Sequence, residues 1–472
     1  MTWHRSASQW FHLPAASLWE VLADVRRWPD WNPAVAEAAL EGPLAEGTTG
    51  RYAPSHRIVG PLHRRTAPAF TVAQLDPGRS IVLRQPQPGG VQDIAWSLEE
   101  RDGGTVFTQR VTVEGPLSQQ FGLTAGEPLV RGFAPQCARL YRLAASAPLH
   151  GSGTPHEEGA PSGPLTVIAG GTGFLGTALA SELVCSGYDV ALLTRSFTPS
   201  PFRQILWNGR DQGEWSTELG AQDRLNVVNL AGLSLDRPGT PENIATLRAT
   251  RVEPTRALVE ASRGWDRPAE HWIQQSAVGI YGDSPAPMDE AVPPPADAPG
   301  LAGVVRDWES AFDGASAAHS VVLRTGIVLE RDSAILARLT TPSRLGAGGA
   351  LGTGAQWFSW IHVADWLRIA RSALGLPLSA GEGPLELPDG VVNATSPYPV
   401  QNRELMAHIR EYVGVPVGIP APAFLLRAAA AVLRTNPALA LDSVRALPGV
   451  LKASGFEFRY PQLAAAFREM AA

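Results

Sequence analysis

The sequence predicts an α/β protein: a doubly wound parallel sheet from residue 165 onward, preceded by a smaller α+β domain of the helix-grip kind. Three observations carry this. A glycine-rich turn follows an apolar strand and opens a helix between 165 and 186. Strands and helices alternate after it, as a parallel sheet requires. Before it, alternating strands run into an amphipathic helix, and a Gly-, Pro- and Ser-rich stretch separates the two regions.

A chain of 472 residues exceeds what a single core holds, so two or three domains are expected. Hydrophobic residues at 44% and charged residues at 18% are ordinary for a globular protein. A net charge of −6 leaves no basic footprint, so no nucleic-acid partner is expected. Cys137 and Cys185 fall in different predicted domains, each on the apolar stripe of a helix, and read as buried free thiols. Without a CxxC or Cys/His cluster, no metal site is implied. Met1–Arg5 lacks the apolar core of a signal peptide. The apolar run Phe424–Leu433 is broken by Arg427 and too short to span a bilayer. A cytoplasmic protein with no membrane span is expected.

In residues 1–145, Ile94, Trp96 and Leu98 alternate with polar residues as a half-buried strand does. Asp102-Gly103-Gly104 signals a hairpin into a second strand, Thr105–Val113. Leu129, Phe133, Cys137, Leu140 and Ala144 recur at helical spacing and predict one long helix. Trp28-Pro29-Asp30-Trp31-Asn32-Pro33 follows a short predicted helix, Leu18–Val25. Each Trp taken alone reads as a core residue. This order resembles the START-like polyketide cyclase/dehydrase (SRPBCC) superfamily, and the resemblance implies a cavity for an apolar ligand. Residues 146–164 read as a flexible linker. Residues 165–400 read as a Rossmann-type domain and 401–472 as a mostly helical C-terminal segment. Its predicted strands are Leu165–Ala169, Val190–Thr194, Asn226–Leu230, His271–Ser276 and Val321–Thr325.

The strongest signal is Val167-Ile168-Ala169-Gly170-Gly171-Thr172-Gly173-Phe174-Leu175-Gly176. Gly170 permits a tight turn, Gly173 lets the backbone approach a pyrophosphate, and Gly176 lets helix and strand pack closely. The helix opening at Phe174 and Leu175 aims free N–H groups and a partial positive charge at the phosphates, and Gly187 stops it. In NAD-specific folds a carboxylate about 20 positions on binds the ribose 2′-hydroxyl. Here Arg195 stands 19 positions after Gly176, followed by Ser196. A guanidinium fork with an adjacent hydroxyl suits a 2′-phosphate, so NADP(H) is expected rather than NAD(H).

Joined to Asn229-Leu230-Ala231-Gly232, this pattern resembles the extended short-chain dehydrogenase/reductases. Further segments narrow the resemblance: Arg251-Val252 with Thr255-Arg256-Ala257-Leu258; Ser276-Ala277-Val278-Gly279-Ile280-Tyr281-Gly282-Asp283; Arg306-Asp307-Trp308-Glu309; Leu323–Leu329; and Gln356–Asp365. Together they are similar to the atypical "epimerase family", or nucleoside-diphosphate-sugar epimerase-like, proteins. The C-terminal stretch resembles the domain of unknown function that ends them, and the fusion to a START-like domain is an arrangement of that family. The resemblance places Asn229, Ala231 and Gly232 beside the adenosine half of the cofactor and Ser276 at the catalytic Ser position.

The superfamily's Tyr and Lys are another matter. Setting Glu309 at the family's Glu puts Leu301 and Val305 where the pair belongs, and neither can move a proton. Tyr281 is the phenol nearest Ser276 in sequence, although in sugar epimerases a Tyr so placed is not the catalytic one. Ser276 and Tyr281 are therefore the catalytic candidates. His362 reads as a core residue, Asp365 as a helix cap, Arg324 as a cofactor contact or a loop anchor, and Gly346–Gly354 as a lid or turn. Two functions stay open. One is an NADP(H)-binding oxidoreductase or epimerase-like enzyme acting on a small molecule. The other is a non-catalytic NADP(H) sensor or ligand-binding protein.

Overall fold

The computed structural model describes residues 2–55, 69–87, 89–146, 163–297 and 299–472. The segment read as a linker, 146–164, lies outside them apart from its ends.

Seven antiparallel strands form the first sheet. Their spatial order is Thr2–Phe11, Gly104–Glu114, Gly90–Arg101, Ser80–Gln87, Phe70–Asp76, Thr49–Pro54 and Val35–Leu40. The expected hairpin forms at Asp102 and Gly103, with φ of 52° and 73°, the double positive φ that suits a tight hairpin turn. Ile94, Trp96, Leu98, Phe107, Val111 and Val113 face inward, where the sheet curls around the helix Phe133–Ala145. The long helix expected through Leu129 is interrupted. A short helix, Glu127–Val130, ends at extended Arg131, and Gly132 at φ +71° redirects the chain before Phe133. Trp28 and Trp31 lie on one turn, each in edge-to-face contact with Trp96 at 4.9 and 5.3 Å. Truncating either to Ala would cost about 3–5 kcal/mol.

The second sheet is parallel throughout, in the order Arg203–Leu206, Val190–Thr194, Leu165–Ala169, Leu225–Asn229, Ala269–Ala277, Ala317–Thr325 and Gly390–Ala394. The strand interiors are mostly apolar because helices cover both faces, with Thr166, Asn226 and Gln274 as buried polar exceptions. Ile168, Val228, Ile273 and Leu323 pack toward the helices Phe174–Cys185 and Val363–Ala373. Val167, Val227 and Trp272 pack toward Glu214–Gly220 and Pro241–Ser262. The order reverses between Leu165–Ala169 and Leu225–Asn229, which opens a crevice at their carboxyl ends.

The C-terminal stretch is helical at Asn402–Val413, Ala423–Leu433 and Leu463–Ala471. A short strand, Val444–Ala446, also pairs in parallel with Ser284–Met288. The two sheets' domains meet along Phe133–Ala145 and Phe174–Cys185. There the His12 N–H donates to the Cys185 carbonyl at 2.8 Å, and Gln9 Nε2 to Glu182 at 2.9 Å. Cys137 and Cys185 are buried free thiols, and burial pushes both well above the ordinary thiol range. Among the described residues, no helix is long and apolar enough to cross a membrane.

Candidate functional site

At the crevice, backbone crowding fixes the glycines. Gly170 adopts φ +75°, and a Cβ there would stand 2.6 Å from the Leu230 carbonyl oxygen on the neighbouring strand end. A Cβ at Gly176 would stand 2.6 Å from the Gly170 carbonyl oxygen, so turn and helix can approach only without a side chain. Gly173 is the N-cap of Phe174–Cys185, and no side chain caps it. The N–H groups of the first turn are therefore left for an acceptor from outside. Phe174 is 41% exposed and Leu175 half-buried at this mouth.

Arg195 and Ser196 are exposed just past the strand Val190–Thr194. The Thr194 hydroxyl donates to the Ser196 carbonyl at 2.8 Å and fixes this corner. No described residue pairs with the Arg195 guanidinium, and no carboxylate stands beside it. On the other side of the crevice Asn229 is fully buried. Its Oδ1 accepts from the Ala231 N–H at 3.1 Å, and its Nδ2 donates to Thr255 Oγ1 at 2.8 Å and Gln274 Oε1 at 3.0 Å. The Thr255 hydroxyl also accepts from Trp308 Nε1 at 3.1 Å and donates to the Arg251 carbonyl at 2.7 Å.

Gly232 passes directly over Arg251, whose Cζ would lie 3.0 Å from a Cβ added there. Arg251 donates to the carbonyls of Leu233 and Leu247 and stacks 5.1 Å from the Trp308 ring centroid. Burial lowers its pKa from the ordinary guanidinium value. The sequence marked Arg251 only as part of a motif; the structure makes it the floor of the loop 229–233.

Ser276 lies opposite Arg324 in the parallel register. Its hydroxyl donates to Glu309 Oε1 at 2.5 Å. Arg324 grips the same carboxylate with Nε at 2.9 Å and Nη2 at 2.8 Å, and donates through Nη1 to the Tyr281 oxygen at 3.1 Å. Burial works against the Arg324 charge, but hydrogen bonding and attraction from Glu309 outweigh it and raise its pKa. Tyr281 is 2% exposed, and its oxygen also lies 3.0 Å from Asn393 Oδ1 and 3.0 Å from the Asp289 carbonyl. Burial raises the phenol's pKa, with Arg324 pulling the other way. Among described residues, then, Tyr281 spends its oxygen on Arg324, Asn393 and Asp289. Of the two readings of Arg324, it anchors this network.

Val305 is buried against Val278, Ile280 and Tyr281, and Leu301 is half-buried. The sequence holds a single lysine, Lys452, which is exposed on the short helix Gly449–Ala453. No lysine therefore stands beside Ser276. His362, not Asp365, caps the helix Val363–Ala373: its Nδ1 accepts from the Ala364 N–H at 3.2 Å while Nε2 meets Glu469 at 3.0 Å. Asp365 is fully buried and accepts from the N–H groups of Arg459 and Tyr460 at 2.7 and 2.9 Å, pinning the C-terminal segment. Gly349 and Gly352 of the Gly346–Gly354 loop bond to the backbone of Ile419 and Ala421, which makes the loop a structural turn.

The first domain contains a cavity of about 20 Å³, bordered by Trp28, Tyr52, Leu83, Trp96, Gln109 and Leu129. That is room for about one water molecule. Gln92, on the strand Gly90–Arg101, is fully buried and reaches the Tyr52 hydroxyl.

Three family models match in tandem. They are "Polyketide cyclase / dehydrase and lipid transport" over residues 2–147, "NAD dependent epimerase/dehydratase family" over 166–300, and "Domain of unknown function (DUF1731)" over 421–470. The chain is 32% identical over 314 residues to the chloroplastic SDR39U1 homolog of Arabidopsis thaliana, an epimerase family protein. That match covers 64% of this chain and 85% of the relative. It is 31% identical over 311 residues to the Bos taurus SDR39U1 protein, covering 65% and 99%. The crystal structure of human SDR39U1 with NADPH superposes with a TM-score of 0.54 at 29% identity, covering 65% of this chain and 99% of that one. A nucleoside-diphosphate sugar epimerase from Corynebacterium glutamicum shares the fold over 99% of this chain and 90% of its own, with a TM-score of 0.57 at 22% identity.

Proposed function

We propose that this chain, which belongs to the epimerase family of the SDR39U1 proteins, binds NADP(H) at the turn 170–176 and acts beside Ser276 on a small molecule as an oxidoreductase or epimerase-like enzyme. One observation carries the cofactor choice: an unpaired guanidinium, Arg195, stands where an NAD-specific fold needs a carboxylate. The uncapped helix at Gly173 fits a pyrophosphate, and Gly170, Gly173, Phe174, Leu175 and Gly176 would hold it through their backbone. Ser196 would add a donor beside Arg195. Asn229 shapes the loop through which Ala231 and Gly232 would meet the adenosine half. The human relative's NADPH supports the same choice. A bound nicotinamide supplies or accepts a hydride.

The chain's own part is proton handling. Because Ser276 already donates to Glu309, its oxygen is left to accept a proton from a substrate hydroxyl while its own proton passes to the carboxylate. Arg324 holds Glu309 in place, and Tyr281 holds Arg324. This relay replaces the Tyr and Lys that the chain lacks at 301 and 305.

The same lack supports a second reading, an NADP(H)-binding sensor without turnover. In either case the first domain would take an apolar ligand through its resemblance to the polyketide cyclase and lipid transport proteins, although its Trp28–Trp96 cavity has room for about one water molecule. Two buried free thiols fit a cytoplasmic setting.

Identifying the nucleotide that co-purifies with the full chain tests the proposal. NADP(H) is expected. Bound NAD(H), or tighter binding of NADH than of NADPH, overturns the cofactor assignment. A substrate screen with the loaded protein separates enzyme from sensor.

A further inference from the structure

We propose that Leu345, Val417, Ile419, Phe424 and Leu425 form a docking face for an anionic lipid surface. All five are at least half exposed, and they come together from two segments. The Ile419 N–H donates to the Gly346 carbonyl at 2.9 Å, and the Gly349 N–H donates to the Ile419 carbonyl at 3.1 Å, so Leu345 adjoins Ile419. Ala421 continues the pairing, its N–H to Ala350 and its carbonyl to Gly352, so this segment runs extended. Val417 and Ile419, two positions apart on it, point to the same side. Phe424 and Leu425 then open the helix Ala423–Leu433, and Ala428, one turn beyond Phe424, is exposed with them.

Single exposed apolar side chains are ordinary, but a contiguous set marks an interaction surface. Five of the twelve large apolar side chains exposed among the described residues meet here. The charge around them has one sign. In a chain of net charge −6, no Asp or Glu occurs between Asp332 and Asp365, nor between Glu411 and Asp442. Those stretches carry Arg338, Arg344, Arg427 and Arg434, all exposed. Arg338 pairs with Asp236, whereas no described carboxylate pairs with Arg344, Arg427 or Arg434. Arg344 directly precedes Leu345, and Arg427 follows Phe424 by three positions, so both cations rim the apolar residues.

An apolar centre rimmed by unpaired cations complements a bilayer interface. The apolar side chains enter the acyl boundary while the guanidinium groups meet the lipid phosphates. A second copy fits less well, because a two-fold contact would set the same cations against one another. The helix Ala423–Leu433 has 11 residues. It is therefore about 16 Å long, roughly half the hydrocarbon thickness, and would lie along the surface without crossing it.

The test is co-sedimentation of the full chain with vesicles of phosphatidylcholine alone and of phosphatidylcholine mixed with phosphatidylglycerol. Binding to the mixed vesicles is expected, with weaker binding to the neutral ones and release by added salt. Phe424→Ser combined with Leu425→Ser should lower partitioning about 10- to 100-fold, the effect of withdrawing such side chains from an apolar phase. Arg344→Glu combined with Arg427→Glu should abolish the preference for the mixed vesicles, and serves if the serine variant fails to fold. No sedimentation with either vesicle, equal binding of wild type and variants, or no preference for the anionic lipid overturns the proposal. So does light scattering that shows a dimer dissociated by Phe424→Ser, because the face then joins two copies of the chain.

Discussion

The Ser276 hydroxyl and the Glu309 carboxylate sit 2.5 Å apart, although 33 residues separate them in the chain. A carboxylate within reach of Ser276 is what would distinguish a site here from one built on a phenol and an ammonium. Ser276→Ala and Glu309→Gln should each lower turnover about 10²–10⁴-fold while NADPH binding stays intact. Because the two act as one relay, the double variant should fall little further than the weaker single. Full activity in Glu309→Gln, with only its melting temperature lowered, would leave Glu309 a purely structural role.

Arg195→Ala should lose NADPH affinity and leave NADH affinity nearly unchanged. A charge-assisted pair with phosphate contributes about 1.5–3 kcal/mol, or roughly 10- to 150-fold in Kd. Fluorescence titration with both nucleotides checks this. Equal losses for the two would show that Arg195 touches something common to both.

Tyr281→Phe removes the oxygen shared by Arg324 and Asn393. Leaving those buried groups unmatched should cost about 1–3 kcal/mol of stability, read from denaturant unfolding. If turnover falls by orders of magnitude while stability holds, the phenol exchanges protons itself.

Alkaline stability should depend on Tyr52. Burial pushes its phenol up to about 12 from an ordinary 10.0, and a hydrogen bond with Gln85 offsets part of this. Above the ordinary value the unfolded chain ionises while the folded one holds its proton. Its stabilisation is therefore complete below pH 10.0 and is lost as pH rises toward about 12. Melting temperatures recorded between these pH values should fall less steeply for Tyr52→Phe than for the wild type. Parallel curves would mean that Tyr52 ionises freely in the folded state.

Sequence reading reached the glycine turn because backbone crowding there tolerates only glycine, and such a constraint is written in single letters. It reached the hairpin at Asp102-Gly103 for the same reason. It did not reach the partnership of Ser276, Glu309, Arg324 and Asn393. These residues come from three strands and a helix, and only the parallel register brings them together. Glu309 served merely as an alignment mark. In sequence Asp365 reads as a cap because acidic residues are common in a first helical turn. The true capping atom is an imidazole nitrogen, and the carboxylate turns instead toward Arg459 and Tyr460, nearly a hundred positions on. Gly132 is hidden inside the Leu129–Ala144 periodicity because its neighbours keep helical spacing on both sides of the break.

The Thr255 hydroxyl offers one last consequence. It holds two donors, from Asn229 and Trp308, and gives its own proton to the Arg251 carbonyl. An oxygen with no vacancy left cannot be inherited piecemeal. Valine would match its shape yet strand an amide and an indole on two different elements, and serine would keep the bonds but lose the methyl that fills the site. Positions 229, 255 and 308 should therefore drift through evolution as a single unit, exchanged together or kept together, even though the three share no stretch of sequence.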